Sequence, residues 1–101
     1  MVLYIEGYNE VTNLNPILMK ELMIIMNGSP MDYQKFREEL DRYFDSNHKT
    51  IDYSCGYQLD AKVFDVVFNV EDKHIDLVKE ATRVVADVLD IKVVQITQTN
   101  I

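Results

Sequence analysis

The chain has one cysteine, no tryptophan, two prolines and three glycines. A single thiol, Cys55, excludes an internal disulfide and fits a reducing, cytoplasmic setting. So few Gly and Pro exclude a long flexible linker. The glycines stand alone at positions 7, 28 and 56, so neither a Walker loop nor a dinucleotide fingerprint can form. The densest apolar run covers only residues 22–26, far short of the roughly 20 residues a membrane helix needs. The opening, Met1-Val2-Leu3-Tyr4-Ile5-Glu6, has no basic stretch followed by a long apolar one, so no secretory signal is expected.

Positive charge is also scarce. Ten Lys and Arg stand against seventeen Asp and Glu, for a net charge of −7. The basic residues form no stripe, which argues against direct binding to nucleic acid. The acidic excess is spread along the chain, which suits solubility better than mimicry of a nucleic acid.

What is present is a normal globular composition: 101 residues, 48% hydrophobic and 27% charged. A chain of this length can bury roughly 60–70% of its unfolded surface, so a single domain over residues 1–101 is expected. There is no internal repeat and no low-complexity segment.

Along the chain, residues 2–8 read as a strand that Gly7 helps to end, followed by a polar loop to Asn15. Asn15-Pro16 supplies a cap and a first helical residue, and Asn27-Gly28 supplies a stop, so a helix is predicted over 16–27 with Gly28 as its left-handed terminator. Ser29-Pro30 opens a second helix to about Asp45, with Tyr33, Phe36, Leu40, Tyr43 and Phe44 on one stripe. Alternation of Ile51, Tyr53, Cys55 and Tyr57 with polar residues marks a half-buried strand. Leu59-Asp60 turns the chain into a second strand over 61–70. That strand is apolar on both faces, the mark of a central position. Gly56 suggests a bulge. A long amphipathic helix over 72–89 and a strand over 91–99 complete the chain.

This order, β-αα-β-β-α-β, resembles the split βαβ or ferredoxin-like plan: an α+β fold with a mostly antiparallel four-stranded sheet and helices on one face. The resemblance is one of element order, and many unrelated functions share it.

The predicted helix over 16–27 is apolar nearly all round, through Ile17, Leu18, Met19, Leu22, Met23, Ile24, Ile25 and Met26. Such a helix is either sandwiched inside the subunit or faces a second chain. Ala61, Val63 and Val67 would lie on the sheet face that helices leave open, and such patches mark interaction sites. The residues expected to bind a partner are therefore Leu18, Met19, Met23, Met26, Val63 and Val67.

Signals for chemistry are weak. Cys55 shares the apolar phase of its strand and reads as a small buried hydrophobe. His48 lies on a loop. Glu71, Asp72, His74 and Asp76 open the last helix, where acids favour the dipole without a metal. No zinc, calcium or zincin spacing occurs, and no cofactor or catalytic residue is assigned. The expectation is a non-catalytic protein-binding module of inhibitor, antitoxin or adaptor type, acting on a protein partner and forming a homo-oligomer. The alternatives are a regulatory domain that binds a small ligand and, behind it, a small enzyme.

Overall fold

The computed structural model describes residues 19–46 and 51–100 of the chain. The strand expected over 2–8 and the loop after it lie outside these residues. Six elements follow one another: strand β1 (Met19–Asn27), helix α1 (Pro30–Ser46), strands β2 (Tyr53–Gln58) and β3 (Val63–Glu71), helix α2 (Ile75–Val88) and strand β4 (Lys92–Asn100). A single turn of 3-10 helix, Asp72–His74, leads into α2. The architecture is α+β, with one four-stranded sheet in the order β2-β3-β1-β4 and every neighbour antiparallel.

The largest departure from the sequence reading is β1. Its residues were expected to form a helix and form a central strand instead. Leu22, Ile24 and Met26 are fully buried, while Glu21, Met23 and Ile25 between them are partly exposed. That is a period of two on a strand whose two faces are both apolar. Hydrogen-bonded neighbours on both sides, β3 and β4, satisfy its backbone and explain why so greasy a segment stays extended.

Gly28 departs with it. It follows a strand and its φ is not positive. A methyl group there would stand 2.9 Å from both Cβ of Asp32 and a ring carbon of Phe64, so close packing requires the glycine. Its N–H donates to the Lys62 carbonyl at 3.1 Å, and its own carbonyl accepts from the Tyr57 hydroxyl at 3.1 Å.

Helix α1 starts as expected. The Ser29 hydroxyl accepts from the Asp32 N–H at 3.2 Å, and the Asp32 carboxylate accepts from the Ser29 N–H at 2.9 Å. This reciprocal cap satisfies two donors that a helix start leaves unpaired. Phe36, Leu40 and Phe44 are its buried stripe. Helix α2 ends in a Schellman motif: Ile91 N–H donates to Ala86 O at 2.8 Å and Asp90 N–H to Asp87 O at 3.2 Å. Asp90 takes the left-handed conformation that glycine normally fills, with φ of 57°.

Both helices send their buried side chains into one cluster with Leu22, Ile24, Met26, Phe64, Val66, Phe68 and Val70. All seven strand residues lie on the same side of the sheet, so both helices cover one face. Phe64 meets the rings of Tyr33 and Phe36 at 5.4 and 5.6 Å between centroids, and Phe44 meets Phe68 edge-on at 6.3 Å. Thr82, the buried polar residue of α2, donates its hydroxyl to the Val78 carbonyl at 2.9 Å and so leaves no orphan donor. The β2–β3 pairing runs without a break from Tyr53 to Gln58, so the bulge expected at Gly56 is absent. A register shift falls instead between Ile25 and Met26 against β4. Among the described residues, no helix is long and apolar enough to cross a membrane.

Candidate functional site

Two surfaces hold groups that could act on something else: the sheet face opposite the helices, and a cleft between α1 and the edge strand β2.

The open face follows from the alternation of β1 and β3. With Leu22, Ile24 and Met26 turned to the helices, Met19, Glu21, Met23 and Ile25 turn away from them. In β3 the same parity sends Val63, Asp65, Val67 and Asn69 to the open side. Register brings them together. Met23 lies directly opposite Val67 on one side and Thr97 on the other. Ile25 lies opposite Asp65 and Gln95, one step from Val63. Asp65 stands among these aliphatic groups and Glu21 beside them, and around them stand Ser54, Gln58, Asn69, Gln95, Thr97 and Thr99. Partly covered aliphatic groups inside a polar rim are the anatomy of a protein contact surface.

Of the six residues expected to bind a partner, four therefore share this face: Met19, Met23, Val63 and Val67. Met26 does not. It is fully buried beneath the helices because it has the opposite strand parity to Met23. Leu18 lies outside the described residues. Ile25 belongs to the face and was missed, because a helical reading gives no reason to group it with Met23.

The cleft has a volume of about 500 Å³ and is open to solvent. Tyr33, Arg37 and Asp41 line it from α1, spaced four apart so that they share one stripe. Tyr53 and Cys55 line it from β2, two apart on the helix side of the strand. The Arg37 guanidinium sits 5.6 Å from the centroid of the Tyr33 ring, within cation–π range. The Tyr53 hydroxyl donates to the Asp41 carboxylate, which ties helix to strand.

The surroundings of the cleft favour the protonated forms of its phenol and its thiol. Burial, then the hydrogen bond to Asp41 and its negative charge, push the Tyr53 phenol well above its usual range. Burial also pushes the Cys55 thiol up; Arg37 opposes this, while Asp65 and Asp41 add to it. A thiol held neutral is a poor nucleophile. His74 stands apart, beside a shallow depression shared with Met19, Asn69 and Glu71. His48 lies outside the described residues. Among the described residues, no three His, Cys, Asp or Glu side chains converge as metal ligands.

Neither the models of known protein families nor the curated proteins contain a match to this chain. The reading of these surfaces therefore rests on their geometry and chemistry.

Proposed function

We propose that the chain is a non-catalytic protein-binding module built on the ferredoxin-like split βαβ plan. It receives a protein partner on the open face of its sheet and also pairs with itself. The observation that carries the reading is the cluster of Met19, Met23, Ile25, Val63 and Val67 on the face opposite both helices. Apolar surface gains roughly 25 cal/mol per Å² when it leaves water, so a partner that covers this cluster is favoured. A half-buried, neutral Cys55 and the absence of a second thiol suit a reducing, cytoplasmic setting. An inhibitor, antitoxin or adaptor role fits a small acidic domain of this kind.

Capture from the native host with the wild-type chain and with Val67→Glu tests the reading. Val67 is partly exposed and its side chain lies outside the helix-covered core, so the variant is expected to fold with nearly unchanged circular dichroism, which is checked first. A partner retained by the wild type and lost by the variant is the expected result. An identical set of proteins on both baits overturns it.

The cleft supports a second reading. Arg37, Asp41 and the Tyr53 hydroxyl line one space, as in sites that orient a small polar ligand. Thermal stabilisation by such a ligand, abolished in Arg37→Ala, would favour this reading over the first.

A further inference from the structure

Among the described residues, the two edges of the sheet are built differently. Edge strand β2 is only six residues long and is surrounded by acids. Asp52 precedes it, Asp60 follows it, Asp65 lies opposite its Gly56, and Asp41 is bonded to its Tyr53. Shortness and nearby charge are the usual devices that keep a sheet edge from pairing with another chain. Edge strand β4 is longer and has no acid, although its register shifts once against β1, at Val94. It runs for nine residues, Lys92–Asn100, and carries one charge, that of Lys92. No Asp or Glu occurs after Asp90, in a chain whose net charge is −7. Repulsion between two acidic copies is therefore weakest along this strand. Val94 and Ile96 are 52% and 53% exposed on it.

We infer that a second copy of this chain docks antiparallel along β4, with Ile96 on the two-fold axis. The inference rests on the self-pairing part of the reading above and names its seam. Ile96 is the middle residue of the strand, so antiparallel overlap centred there sets it against itself and Gln95 against Thr97, while the register shift at Val94 interrupts the regular ladder on the Lys92 side. In the subunit, Ile96 lies opposite Ile24, on the helix side of the sheet. Ile24 is buried, whereas Ile96, at the edge with no described strand beyond it, is not. Two copies would bring the Ile96 side chains about 5 Å apart and extend the core across the seam. Antiparallel pairing also places the two Lys92 side chains at opposite ends, roughly 26 Å apart at 3.3 Å per residue, whereas parallel pairing would set them side by side. The product is a closed two-fold dimer with one eight-stranded sheet. The Asn100 end is already held, because its side-chain amide oxygen accepts from the Lys20 ammonium.

The test uses the full chain at micromolar concentration. Sedimentation velocity gives a dimer, and Ile96→Glu weakens it at least tenfold while leaving circular dichroism unchanged. In a Cys55→Ser background, Ile96→Cys forms a disulfide-linked dimer on mild oxidation, because directly opposite residues lie within disulfide reach. Lys92→Cys does not. A monomer at these concentrations overturns both the seam and the self-pairing, including a monomer whose β4 amides exchange slowly because its own chain covers the edge. A dimer that tolerates Ile96→Glu and fails to link through residue 96 overturns the seam alone.

Discussion

Replacing Met26 and Met23 separately by alanine separates a strand from a helix at β1. In a helix the two residues are three apart and share a face. In β1 they have opposite parity: Met26 is fully buried under α1 and α2, and Met23 lies on the open face. Truncating a buried methionine costs about 2–5 kcal/mol, the lost transfer energy plus that of the cavity left behind. Against a total stability of about 5–15 kcal/mol, that is a large fraction. A loss of about 3 kcal/mol lowers Tm by roughly 12–24 °C in a domain of this size. Met23→Ala removes a side chain that is covered only in part, without opening an enclosed cavity, and costs about 1–2 kcal/mol, less than Met26→Ala. Urea denaturation followed by circular dichroism reads both, with equal m-values as the check that the unfolded states are alike. Equal losses from the two variants, or a greater loss from Met23→Ala, would refute the assignment of faces and with it the open apolar surface.

Two further outcomes follow from the geometry. Gly28→Ala destabilises the fold by about 1–3 kcal/mol, because the new methyl meets Asp32 Cβ and the buried Phe64 ring; Gly56→Ala, with only Asp65 at 3.7 Å, is neutral or mildly stabilising in the same thermal melts. Stability falls as pH rises above about 8.5, the ordinary thiol value. Cys55 and Tyr53 are both held protonated in the fold, so their contribution is full below their unfolded pKa values and is lost as pH climbs through the folded ones. Denaturation midpoints from pH 7 to 10.5 check this, and Cys55→Ser flattens the part of the decline that belongs to the thiol.

Much of the architecture was legible where local and tertiary signals agree. The capping pair Ser29 and Asp32, and the stripe Phe36, Leu40 and Phe44, identify α1 without any neighbour. Alternation identifies β2 and β3, and the apolar character of both β3 faces correctly makes it central. β1 looks helical in the sequence because its run Leu22–Met26, apolar at every position, carries neither a period of two nor one of 3.6. The dipeptides Asn15-Pro16 and Asn27-Gly28 then resembled helix punctuation, although Gly28 is there for its closeness to Asp32 and Phe64. Val63 and Val67 came from a correctly read strand and lie where they were expected, whereas Met26 was assigned outward and lies inward. The α1–β2 cleft was invisible for another reason: nothing in the sequence says that Asp41 meets Tyr53, twelve residues on.

The methionines themselves report on the claim that the open sheet face is a contact surface. Met19 and Met23 lie on that face, Met26 is sealed in the core, and Met31 is 60% exposed at the start of α1. Oxidative footprinting of the chain alone and in the complex with its captured partner measures all four at once. Protection of Met19 and Met23 on binding, with Met31 still oxidised and Met26 inert in both states, is the predicted result. Met19 and Met23 oxidised equally in the free and bound chain would contradict it.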